Sequence, residues 1–168
     1  MTLETISPVY FESVSAVTAT PNVELGSRRT DSNGNKYVYV YNAGNYEIWP
    51  GRCGYLGSSN SGYSITATNA ASQVGIFAGG VHHATLTTNA YGWLMTEGCC
   101  AVSPDTSEVS FDAGDYLTVA VNDGYGPMTG ATLSTGNRIG VCISSGVTQA
   151  GATFAADLGK AWIRSDIW

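Results

Sequence analysis

Two histidines stand side by side, His82-His83, and they are the only imidazoles in a chain of 168 residues. A shared metal ion needs both rings on one side, whereas neighbours on a strand project to opposite faces. No H-x-E, H-E-x-x-H or nearby Cys-x-x-Cys pattern completes such a site. One inward, hydrogen-bonded His and one exposed His is the expected arrangement. Asp112 and Asp115 flank Ala113-Gly114, with Glu108 upstream. Paired carboxylates hydrolyse glycosides when a cleft holds them, and Tyr116, Tyr125 and Trp93 are the candidate walls. Aspartates beside a glycine are also ordinary turn chemistry, and that is the preferred reading. Asp31-Ser32-Asn33-Gly34 looks like half of a calcium loop but lacks the later bidentate glutamate, so it too reads as a turn.

Cys53, Cys99, Cys100 and Cys142 are even in number but lack zinc-ribbon spacing. Cys99-Cys100 are adjacent, so on a strand they face opposite ways. Reduced, mostly buried thiols acting as small apolar residues are expected. A Cys53 to Cys142 disulfide is the alternative, and nothing in the sequence selects it. There is no Gly-x-Ser-x-Gly elbow, phosphate loop or dinucleotide fingerprint. The chain is therefore expected not to be an enzyme, with no cofactor and no metal.

The elements that position these residues read as strands. Asn33-Gly34 is a strong hairpin signal, expected to form a tight two-residue turn with positive φ angles. The run that follows, Lys36 to Tyr41, alternates aromatic and β-branched side chains and so presents a ladder of Tyr37, Tyr39 and Tyr41 on one face. Strand signals recur at 23–29, 36–41, 45–49, 52–56, 63–68, 73–83, 91–103, 107–111, 116–122, 131–134, 138–144 and 160–167. Gly-rich turns separate them, among them Pro50-Gly51 and Ala113-Gly114. Only 66–72 and 153–158 suggest short helical turns. Short strands so punctuated imply an all-β fold, a small barrel or sandwich. Ile48 to Arg52 and Phe111 to Asp115 echo each other, each with an apolar residue before an X-Gly turn.

Residues 1–22 read as an extended N-terminal arm, bracketed by Pro8 and Pro21, which pairs at an edge of its own domain or reaches a neighbour. Residues 23–168 read as a single β domain, since no composition break marks a second. Charged residues make up 12% of the chain, about half the usual share. Seven Lys and Arg against thirteen Asp and Glu leave no basic stripe for phosphates, so nucleic acid is not an expected partner. No apolar run reaches membrane-span length, and the N-terminus lacks the features of a secretory signal. Ten Tyr and four Trp exceed what one core readily hides, which points to surfaces that meet other surfaces. The expected contacts are Val9, Tyr10 and Phe11 of the arm, Tyr37, Tyr39 and Tyr41 of the ladder, and Trp168. For the alternating C-terminal segment that ends on Trp168, a final sheet strand and a docking strand both stay open.

The order Glu24-Leu25-Gly26, Asp31-x-x-Gly34-x-x-Tyr37-Val38-Tyr39-Val40, Ala43-Gly44 and Ile48-x-Pro50-Gly51 resembles the capsid decoration, or cement, proteins of tailed bacteriophages. Ala90-Tyr91-Gly92-Trp93-Leu94-Met95-x-x-Gly98 and Ala113-Gly114-Asp115 continue the pattern, which runs from about Val23 to Arg164. The resemblance implies a virion structural protein with a β-tulip-like body. It would assemble in the host cytoplasm and bind the outside of the expanded shell of major capsid protein. It implies self-association, often as a trimer, with arms that complete a sheet of the capsid protein or a neighbour. Gly92 would let the chain turn closely and Trp93 would enter a barrel core. The rival expectation is a tail or receptor-binding module that recognises carbohydrate through Trp49, Tyr55, Tyr63 or Tyr125.

Overall fold

Three turns of one design set the frame of the molecule. Glu24-Leu25-Gly26-Ser27, Trp49-Pro50-Gly51-Arg52 and Asp112-Ala113-Gly114-Asp115 each close with a hydrogen bond of 3.1 Å from the fourth amide to the first carbonyl. In each the third residue is a glycine at positive φ, +84°, +79° and +99°. That backbone is open to glycine and strained for other L-residues. The echo between the segments around Gly51 and Gly114 is thus a shared turn geometry.

The computed structural model describes residues 12–56, 63–66, 77–102, 110–119, 128–130, 138–143, 146–147 and 159–164. Among them there are thirteen strands and no helix. In chain order these are β1 (Val17–Thr18), β2 (Arg28–Thr30), β3 (Lys36–Asn42), β4 (Cys53–Leu56), β5 (Ser64–Thr66), β6 (Phe77–His82) and β7 (Tyr91–Val102). The remainder are β8 (Ser110–Phe111), β9 (Tyr116–Val119), β10 (Met128–Gly130), β11 (Arg138–Cys142), β12 (Gly146–Val147) and β13 (Gly159–Arg164). The expected strand at 45–49 shrinks to a bridge between Ile48 and Leu86. Thr66 lies in a strand; the rest of the suggested helical turn at 66–72, and that at 153–158, fall outside the described residues.

The hairpin at Asn33-Gly34 forms, but with a wider loop than the two-residue turn expected. The amide of Gly34 donates to the Asp31 carbonyl at 3.1 Å, and the amide of Asp31 to the Asn35 carbonyl at 2.9 Å. Gly34 has positive φ, +83°, and Asn33 does not. The Asp31 carboxylate decides this: its Oδ1 accepts the amides of Asn33 and Asn35 at 2.8 and 3.0 Å. A short acidic side chain that satisfies loop amides stabilises the longer turn.

β7 organises the sheet. One edge pairs antiparallel with β3 from Glu97 to Tyr91. Its other edge takes β1 at Tyr91 and Gly92, β6 at Leu94 and Met95, and β13 from Glu97 to Val102. From β13 the sheet continues through β11 and β9 to β10; from β6 it continues through β4 and β5 to β3 and β2. β5 meets β3 in two parallel residue pairs, so this end curls on itself. The described residues agree with the expected all-β class, but the eleven-stranded sheet as a whole is not closed into a barrel, one of the two forms expected. Its ends, β2 and β10, are three-residue strands at opposite extremes of a path that branches at β7, so neither finds the other. β8 and β12 form a separate pair.

Alternation sorts the side chains of β3. Val38 and Val40 join Ile48, Ile65, Leu86, Ala90 and Leu94 in a buried aliphatic cluster inside the curl. Tyr37, Tyr39 and Tyr41 go to the other face, in register with Met95, Trp93 and Tyr91. Trp93 is fully buried on that aromatic face and not in the aliphatic cluster. Gly92 is a strand residue between Val40 and Val17, where no turn occurs.

Candidate functional site

The ladder is one part of a row of π contacts along this face. Ring centroids lie 4.7 Å apart for Tyr41 and Tyr91, 6.2 Å for Tyr91 and Tyr39, and 5.1 Å for Tyr39 and Trp93. The Arg29 guanidinium carries the row onward, 4.8 Å from the Trp93 ring and 5.9 Å from that of Tyr37. His83 ends it, its ring 5.8 Å from Tyr37. Offset and tilted rings attract through their quadrupoles, and a guanidinium over a ring adds to this.

The row is sealed in its middle and open at its ends. Tyr37 and Tyr39 are 2% and 0% exposed. Both therefore pack inside their own chain, and as folded they offer no ring to the neighbour or capsid expected to meet them. Residues 12–22 lie against Tyr39: β1 pairs with β7, and the Tyr39 hydroxyl bonds Thr18 Oγ1 at 3.2 Å and accepts the Asn22 amide at 3.3 Å, whereas Tyr37 has Asp31, Arg29 and His83 as neighbours. Tyr41 and Tyr91 stay half-buried, with the Tyr41 hydroxyl donating to Asn89 Oδ1 at 3.0 Å. Val9, Tyr10, Phe11 and Trp168 lie outside the described residues.

At the other end a polar cluster joins three segments. The Tyr37 hydroxyl donates to Asp31 Oδ2 at 3.0 Å and lies 3.5 Å from His83 Nε2. Asn35 donates its amide nitrogen to Asp31 Oδ2 at 2.8 Å and accepts the Cys99 amide at 3.2 Å. Burial pulls the Asp31 carboxyl upward, but the bonds from Asn35, Tyr37 and Asn33 outweigh it and leave it below its ordinary value. Burial, then the hydrogen bond to Asp31, raises the Tyr37 phenol well above its own. Burial lowers the imidazole of His83 against the pull of Asp31. His83 is exposed overall while its ring is partly desolvated against Tyr37; the side chain of His82, the other member of the expected inward-and-outward pair, lies outside the described residues.

The other sequence candidates take structural places. Asp112 and Asp115 form a reciprocal turn, the Asp112 amide donating to Asp115 Oδ2 at 2.8 Å. Cys99, Cys100 and Cys142 carry free thiols, so Cys142 is in no disulfide. Burial and the neighbouring Cys99 push the Cys100 thiol up to about 12; burial and Asp115 push that of Cys142 to about 11. Among the described residues no group of three or more His, Cys, Asp or Glu could hold a metal ion, and no helix is long and apolar enough to cross a membrane. Trp49 has Arg52 over its ring at 5.2 Å, and the ring of Tyr63 packs against Gly26. The side chains of Tyr55 and Tyr125 lie outside the described residues.

One central residue escaped the sequence reading. Asn42 is fully buried, and its Nδ2 lies 2.9, 3.0 and 3.2 Å from the carbonyls of Tyr46, Leu86 and Thr87. Its Oδ1 accepts the Gly44 amide at 3.0 Å. That last bond is an Asx turn, and Asn42-Ala43-Gly44 was the local signal for it. The bonds to Leu86 and Thr87 had none. No protein-family model, curated protein or solved structure matches this chain.

Proposed function

We propose that this chain is a capsid decoration protein of a tailed phage, a non-catalytic virion component that binds the outer surface of the major capsid protein shell and stabilises the head. One observation carries the reading. The positive-φ glycines among the described residues are Gly26, Gly34, Gly51, Gly98 and Gly114, and each is a glycine of the pattern that resembles this family. Gly44 and Gly92 of the same pattern are not at positive φ, so the coincidence marks the turns and bends of the pattern, and the role itself is carried over from the resemblance. The finer β-tulip-like architecture and the trimer belong to the same proposal. Many weak contacts, repeated by symmetry over a lattice, give firm attachment from modest single sites. Val9, Tyr10, Phe11, Tyr41 and Trp168 are the members of the expected contact set that remain to meet the shell.

Co-sedimentation with expanded and unexpanded heads tests the reading: the protein should pellet with expanded heads alone. Protein left in the supernatant with both would overturn it. A carbohydrate-recognising tail module is the second reading, favoured by Tyr46, which is 48% exposed. Binding to glycans without binding to heads would select that one.

A further inference from the structure

We infer that residues 12–22 form a releasable strap, latched by Arg29, that opens from the aromatic face while the sheet stays folded. None of the eleven residues is buried, whereas Tyr39 and Trp93 beneath them are fully so. The strap therefore covers the core without belonging to it. Among the described residues its strand pairing is Val17 with Gly92 and Thr18 with Tyr91, and Val17 packs against the aliphatic cluster. Polar bonds add to this. Arg29 donates to the Glu12 carbonyl, Asn22 Nδ2 donates to Glu12 Oε1 at 2.9 Å, and the Tyr39 hydroxyl holds Thr18 and Asn22. Residues 19–22 are all exposed and supply the hinge. Elements with few buried apolar contacts open locally, below the free energy of global unfolding.

Arg29 makes the opening self-contained. It sits on β2, not on the strap, so its guanidinium stays over Trp93 and Tyr37 when the strap leaves. What opening uncovers is Tyr39 and the β7 edge at Tyr91 and Gly92, a free strand edge of the kind that accepts an added strand. The inference does not rest on the proposed role at the capsid.

Native-state hydrogen exchange on the full chain tests it. Amides of residues 12–22 should exchange about tenfold or more faster than those of β3 and β7. Arg29→Met and Tyr39→Phe should each speed the strap amides about tenfold further while leaving β3 and the β7 amides beyond Gly92 within about twofold. Strap amides that exchange together with β3 and β7 would overturn the inference, as would strap rates unmoved in both variants. Tyr39→Phe keeps the ring and decides the matter if Arg29→Met does not fold.

Discussion

Two glycines with nearly the same backbone make different demands. Gly26 and Gly34 have φ of +84° and +83°, but a Cβ on Gly26 would fall 1.9 Å from the Tyr63 ring while one on Gly34 meets nothing within 4 Å. Gly34→Ala should lose about 1–2 kcal/mol, the left-handed penalty alone. Gly26→Ala should lose about 2–5 kcal/mol, because overpacking adds to it. Urea unfolding of the two variants separates the terms. Asp31 gives a pH signature. Its folded pKa lies below its ordinary value, so the folded state binds fewer protons in that window. The stabilisation is complete above about pH 4 and is lost as the pH falls through the folded value. An Asp31→Asn variant should therefore show a flatter acid limb between about pH 4 and pH 2, measured by circular dichroism. The thiols divide similarly. Cys99 is exposed, whereas Cys100 and Cys142 are buried with raised pKa values. In native protein at neutral pH maleimide should label Cys99 and spare Cys100 and Cys142, read by peptide mass spectrometry.

At the scale of elements, the alternation of β3 separates two layers that fail differently. Tyr39→Ala removes a fully buried ring from the aromatic row and should cost about 3–5 kcal/mol. Tyr41→Ala, at the open end, should cost clearly less. Asn42 ties the end of β3 to the segment at 86–87. Asn42→Ala removes the bonds to the Tyr46, Leu86 and Thr87 carbonyls, of which only the Leu86 bond is buried, and that carbonyl keeps the Ile48 amide at 3.0 Å; the loss should be about 1–3 kcal/mol in all. Equilibrium denaturation should show this loss although the substitution removes no apolar surface. The ladder itself was legible because a two-residue period shows which side chains share a face. Which face goes inward was not, since covering it required residues 12–22 and Arg29 to arrive from elsewhere in the chain.

The whole molecule hangs on β7, whose far edge serves three strands in turn and whose branch leads to both halves of the sheet. Removing residues 1–11 should, on the capsid reading, abolish head occupancy. Removing residues 1–22 should also uncover Tyr39 and lower the melting temperature by several degrees, about 2–4 °C per kcal/mol for a chain this size. Calorimetry and head co-sedimentation of the two truncations check both statements. Equal melting of the two would mean that the strap does not support the face beneath it.

Turn chemistry and strand periodicity are local properties, and so the sequence alone determined where this chain bends and which residues lie on the same side of a strand. Gly26, Gly51 and Gly114 need only their neighbours to require positive φ. Pairing is not local. A strand alternates identically whichever edge it joins, so the parallel meeting of β3 with β5, the sharing of β7 and the reach of Asn42 to Leu86 are absent from any short window. Tertiary structure alone decided that the tyrosine ladder faces inward, because burial depends on what else lands on a surface.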